Sequence, residues 1–261
     1  SLFLESLEDR RLLAADFSIS TAADASEAGS VFGGFTVQGI GTTAVDQIIN
    51  LTIAGTATDG GTDYDSIGAT VTVPAGTDPS TTILVEGIVD DTLLEGNETV
   101  IVTLASLVPT ADANTINGGS NVATVEIVDN DTAVVTVAVQ DGTASETGPD
   151  DGAFRVSLDK TNNTGGTITV NYTMTGTATD GTDYAAVDGT AEILDGASFV
   201  DVVIDVTDDS VLEAAESVTI TLNSLTLPSN VSSANVSIDT ANDDATFNIA
   251  DNESTEVSVS A

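Results

Sequence analysis

Two stretches of this chain carry its densest chemistry: VDDTLLEGNE, from Val89 to Glu98, and TDDSVLEAAE, from Thr207 to Glu216. Each sets a pair of adjacent aspartates four and seven residues ahead of two glutamates. Carboxylates can act as acid–base pairs or as ligands for a hard cation, and the rest of the composition decides between these uses. The chain has no His and no Cys, so the usual base–nucleophile pairs and the preferred ligands of transition metals are both absent. A glycosidase-type carboxylate pair is the remaining catalytic option, and it needs a sugar-gripping cleft rich in aromatics. With no Trp and only three Tyr, such a cleft is not expected. The chain therefore reads as a non-enzyme, and calcium suits its acids: it takes six to eight oxygens and tolerates irregular loop geometry.

Converging these acids is the task of the surrounding elements. GTATDGGTDY, from Gly55 to Tyr64, recurs as GTATDGTDY, from Gly176 to Tyr184. ASEAG at Ala25 recurs as ASETG at Ala144, and VEIVDND at Val125 returns weakly as FNIADNE at Phe247. The landmarks keep their order, so two tandem domains are expected, over 16–130 and 131–252. Apolar and alternating runs predict strands at Asp16–Ser20, Val31–Gln38, Ile48–Ala54, Thr70–Val73, Thr81–Val89, Thr99–Ala105 and Ala123–Val128. The second copy repeats them at Val134–Val139, Ala153–Leu158, Ile168–Thr173, Thr190–Leu194, Ser198–Val206, Ser217–Leu222 and Ala245–Ala250. Seven short strands in each copy, A to G in chain order, separated by Gly, Asp and Asn turns, predict an all-β chain of two seven-stranded antiparallel, immunoglobulin-like sandwiches.

Strand parity then collects the acids. Successive strands run up and down, so the A–B, C–D and E–F loops and the end of strand G share one end of each domain. That end holds Glu27, Asp59, Asp63, Asp65, Asp90, Asp91, Glu95, Glu98, Asp129 and Asp131 in the first copy. In the second it holds Glu146, Asp180, Asp183, Asp208, Asp209, Glu213, Glu216, Asp251 and Glu253. Two carboxylates 4 Å apart repel by ~4 kcal/mol at an effective dielectric near 20, so half a dozen together call for a cation. Neither loop has EF-hand register: DGGTDYDSIGAT, from Asp59, lacks the sixth-position glycine and the closing glutamate. The competing account is a merely solubilising acidic surface.

Charge and composition limit the partners. There are 42 acidic residues against four basic ones, Arg10, Arg11, Arg155 and Lys160, for a net charge of −38. Nucleic acid and anionic membranes are excluded by repulsion, and cations are favoured. The 41% of apolar residues can build cores, and no run approaches the roughly 20 apolar residues of a transmembrane segment. Without cysteine there is no disulfide framework.

Both copies resemble Calx-beta domains, the repeat first known from the regulatory loop of sodium–calcium exchangers. GTATDGGTDY followed by VDDTLLEGNE carries the most distinctive part of that likeness. The resemblance implies calcium bound at one pole, in the first copy by Glu27, Asp63, Asp90, Asp91, Glu95, Glu98, Asp129 and Asp131. The matching metal positions of the second copy are Glu146, Asp183, Asp208, Asp209, Glu213, Glu216, Asp251 and Glu253. The closing acidic run departs from the family's consecutive aspartates: it reads Asp129, Asn130, Asp131 and then Asp251, Asn252, Glu253. Fewer charges imply one or two ions per domain.

LESLEDRRLLAAD, Leu4 to Asp16, resembles a short N-terminal motif of planctomycete extracellular proteins. It implies an export or anchoring segment over 1–15 and an extracellular or cell-surface location. The resulting expectation is a calcium-binding structural or adhesive protein, with calcium rigidifying the inter-domain junction. A calcium sensor and a calcium-dependent carbohydrate-binding module are the alternatives. TEVSVSA, Thr255 to Ala261, alternates like TAVVTVAV at Thr132 and predicts an extra strand within 253–261. Pairing with another molecule would make it the joint of a homo-oligomer or filament.

Overall fold

A computed structural model describes residues 14–108, 113–148 and 150–255. The expected export segment lies almost wholly outside these residues, as does the tail strand beyond Thr255. The chain divides into two compact units, residues 1–91 with 97–130, and residues 92–96 with 131–261. Both are built of strands, and no helix among the described residues is long and apolar enough to cross a membrane.

The first unit contains β1 (Ala15–Ala23), β2 (Ala25–Ser26), β3 (Gly33–Thr43), β4 (Gln47–Gly55), β5 (Thr70–Val73), β6 (Gly76–Thr77) and β7 (Ser80–Val85). After β8 (Leu94–Glu95), which falls in the second unit, come β9 (Glu98–Val108), β10 (Thr115–Ile116) and β11 (Val122–Val128). One sheet runs β10, β1, β3, with β7 on the far side of β3; the other runs β2, β11, β9, β4, β5. The period-two pattern of each sequence is what seals the space between them. Phe17 and Ile19 of β1, Phe35 and Val37 of β3, Val100, Val102 and Leu104 of β9, and Val125 and Ile127 of β11 are all buried there. The seven long strands are those expected, with shifted ends. The run predicted to Val89 stops at Val85 because Gly87 turns at φ +66°, against the Asp65 carboxylate.

The second unit repeats the plan with β12 (Ala133–Asp141), β13 (Gly152–Leu158), β14 (Asn162–Asn163), β15 (Ile168–Gly176), β16 (Thr190–Ile193), β17 (Phe199–Ile204), β18 (Glu216–Thr226), β19 (Val236–Ile238) and β20 (Asp244–Ile249). Its sheets run β17, β13, β12, β19 and β16, β15, β18, β20. Phe154, Val156, Ile168, Val170, Ile193, Ile204, Val218 and Ile220 fill the core, and Leu94 is fully buried among them. The backbone of β8 pairs in parallel with β14, Leu94 opposite Asn162.

Apart from the β8–β14 pair, the long-strand ladders are antiparallel except where the opening part of a repeat meets the last part of the same repeat. There β1 pairs in parallel with β10, β2 with β11, and β12 with β19. The cause in the first unit is a break after Ala23: the chain leaves one sheet and joins the other as β2, running alongside β11. This crossing brings Glu27 to the end of β11, next to Asp129, and its backbone N–H bonds to Val128 O at 3.1 Å.

The glycine that opens both GTATDG repeats has a steric reason. Gly55 and Gly176 sit at φ +133° and +135°, where a Cβ would fall 2.0 Å from the carbonyl oxygens of Thr99 and Ser217. Those oxygens accept from Thr56 and Ala57, and from Thr177 and Ala178, and so aim the acidic C–D loop back across the end of the sheet.

Candidate metal centre

In each repeat the C–D loop is tied down by its own acid. Asp63 Oδ2 accepts from the Thr58 backbone N–H at 2.5 Å, and Asp183 Oδ2 accepts from Thr179 at the same distance. Their carbonyls receive Val89 N–H and Thr207 N–H, which join the C–D loop to the start of the E–F segment. Beneath the loops lie Tyr64 and Tyr184, both buried. Burial pushes both phenols up, helped by Asp59 and Asp63 for Tyr64 and by Asp180 and Asp183 for Tyr184.

Six acids of the second repeat form two tight groups. Glu146, Asp251 and Glu253 bring one oxygen each within 4.8 Å of one another, and so do Asp183, Glu213 and Glu216. Glu146 is only 4% exposed. Asp209 and Glu213 link the groups: both repel Glu146, and Asp209 and Asp251 repel Glu213. Asp208 repels Glu253. All eight candidates of this repeat therefore belong to one field of mutual repulsion, although Asp208 and Asp209 stand outside the tight groups.

The protonation equilibria register the crowding. Burial first, and then Glu253, Asp251, Asp209 and Glu213, push the Glu146 carboxyl up to about 7. Glu216 is raised to about 7 by burial and then by Asp183 and Glu213. Burial and neighbouring acids also raise Glu213 and Glu253.

In the first unit, one oxygen each of the buried Glu27 and Asp129 lie within 4.8 Å, and so do those of the half-buried Asp63 and Glu98. Asp90 and Asp91 stand outside these pairs. Glu95 and Asp131 belong to the second unit, Glu95 within β8 and Asp131 accepting from Lys160 Nζ at 2.5 Å.

Two roles escaped the sequence. Asn252 Nδ2 donates to Asp208 Oδ1 at 3.0 Å, and Asn130 Nδ2 donates to Asp90 Oδ1 at 3.4 Å. The asparagines in the closing runs had counted only as lost charges. Their shared place between the two acids of each closing run was the available signal. Lys160, one of four basic residues, gave no hint of its contact with Asp131.

The donor set fits a hard dication. Glu146 Oε2, Asp251 Oδ1 and Glu253 Oε2 are buried and meet no hydrogen-bond donor. Buried anionic oxygens without donors are costly, and three of them in one group match what an oxygen-seeking cation supplies.

The Calx-beta domain model matches residues 24–131 and again residues 130–253. No curated protein matches the chain. Among solved structures it is similar to CBD12 from CALX1.2, at 15% identity over 90% of this chain and 99% of that one, with a TM-score of 0.34. It is also similar to the calcium binding domain CBD12 of CALX1.1, at 18% identity over 80% of this chain and 81% of that one, TM-score 0.36. The apo-form Calx CBD1 domain is 22% identical and covers 47% of this chain with all of its own length, TM-score 0.35. On the two family matches, which between them run from residue 24 to residue 253, the chain belongs to the Calx-beta family as a tandem pair.

Proposed function

We propose that this chain is a calcium-binding structural or adhesive module of the cell exterior. Calx-beta domains are calcium-binding modules. The observation that carries the proposal is the trio of donorless, buried oxygens on Glu146, Asp251 and Glu253. Glu146, Asp251 and Glu253 would hold one ion and Asp183, Glu213 and Glu216 a second, with Asp208 and Asp209 adding negative potential. In the first repeat Glu27 with Asp129, and Asp63 with Glu98, serve the same ends. Calcium supplies only positive charge and coordination here, and the chain acts by binding. The exterior location is supported by the likeness of residues 4–16 to an export-associated motif. Calcium at the acidic poles sets the rigidity of the tandem pair.

Calorimetric titration tests the reading. Exterior modules bind calcium at roughly 10⁻⁴–10⁻³ M and sensors at roughly 10⁻⁷–10⁻⁵ M, so the affinity separates a structural role from a signalling one. Binding to the folded state alone would add ~2.7 kcal/mol of stability at a hundredfold excess over Kd. A melting curve that EDTA leaves unchanged would return the acids to plain solubility.

A further inference from the structure

Leu94 and Leu212 hold the same place in the two repeats, since LLEGNE runs from Leu93 to Glu98 and VLEAAE from Val211 to Glu216. Their surroundings are opposite. Leu94 is 0% exposed, and its short strand pairs in parallel with the B–C turn of the second unit, Leu94 opposite Asn162 and Glu95 opposite Asn163. That turn is built to receive it: Asn162 is buried, and its amide bonds to Gly166 O at 2.8 Å and Ile193 O at 3.0 Å. An E–F segment is thus a docking element for the B–C turn of a Calx-beta unit. Leu212, by contrast, is 51% exposed and its neighbour Val211 53%. The segment is folded in place, with the Val211 N–H bonded to Asp209 Oδ1 at 2.7 Å.

We propose that Val211 and Leu212 dock on the B–C turn of the first unit in a second copy of this chain. The choice of acceptor follows from Gly96. A Cβ there would lie 1.9 Å from Asn230 Nδ2, which is itself held by Thr164 O at 3.0 Å. The second repeat has Ala214 at that place, so its segment does not fit a turn like that of the second unit, where residues 92–96 already sit. The first unit's turn differs. Val45 lies in it and Ile40 within the last, turnward part of β3, and both are exposed. Donor and acceptor are different surfaces, so the contact is heterologous and propagates as an open chain of molecules unless the rotation closes a ring. The inference rests on the reading of the chain as a structural exterior module and is independent of calcium.

Sedimentation velocity of the full chain from about 10 μM to about 1 mM, in calcium and in EDTA, provides the test. Wild type associates, and Leu212→Asp and Val45→Asp each raise the concentration of half-association at least ~tenfold. Leu212→Met associates like wild type. An equimolar mixture of Leu212→Asp and Val45→Asp stops at dimers, because each retains one competent surface. A wild type that stays monomeric throughout, or a Leu212→Asp variant that associates like it, overturns the proposal. So does Leu212-dependent binding of a monomeric protein to phosphatidylcholine vesicles, which would assign the apolar pair to a membrane. Leu212-dependent association in a protein that takes up no calcium would instead sink the calcium reading alone.

Discussion

Asn252 gives its side-chain amide to Asp208 at 3.0 Å, and thereby quiets one carboxylate in a field of eight. Replacing it with aspartate exchanges a donor for another anion. Asn252→Asp is expected to lower the melting temperature in EDTA and to raise calcium affinity several-fold, read by calorimetry on the same sample. Tighter binding with no loss of apo stability would show that the amide is not a counterweight.

Acid–base behaviour in EDTA follows from the raised carboxyls. Glu146 and Glu216 take up protons in the folded chain at about 7, against 4.5 for the ordinary group. Their protonation therefore favours the fold: the contribution is complete below about 4.5 and is lost as the pH rises through about 7. Urea unfolding of the calcium-free second repeat should show lower stability at pH 8 than at pH 5. Calcium, which competes with those protons, should reverse the order. Equal calcium-free midpoints at the two pH values would contradict the crowding.

Glu146→Gln separates repulsion from ligation. An amide removes one charge and offers a donor to Asp251 and Glu253, so the melting temperature in EDTA should rise by about 5 °C. The further rise on adding calcium should shrink. A variant that keeps the wild-type calcium increment would place Glu146 outside the ligand set.

Gly176→Ala tests how the C–D loop is aimed. The new Cβ would meet Ser217 O, which accepts from Thr177 and Ala178, in a backbone region that favours glycine. A loss of about 3 kcal/mol in the second unit is expected, measured by urea unfolding, together with weaker calcium binding.

The fold was legible in the sequence because its core is periodic. Thr70–Val73 was expected and found with the same ends, and the other long strands differ by a few residues at their termini. Parity also brought Glu146 to Asp251, which are 105 residues apart, since it fixes which loops share an end. What stayed hidden depended on facts that periodicity does not carry. Whether an asparagine is a lost ligand or a donor is set by which side chain it faces. Leu94 and Leu212 look alike in sequence, and only the neighbour that each one meets distinguishes them. The break after Ala23, which makes parallel pairs in an otherwise antiparallel plan, has no signal in a run of small residues.

The chain contains no tryptophan, and its three tyrosines are Tyr64, Tyr172 and Tyr184, all buried. Tyr64 and Tyr184 lie directly under the acidic loops. Near-ultraviolet circular dichroism and intrinsic fluorescence of this protein are therefore dominated by phenols, two of which sense the packing of those loops, one in each repeat. The molecule carries its own optical gauge of the acidic poles, and substituting Tyr64 by Phe would silence the first repeat and let the second be followed alone.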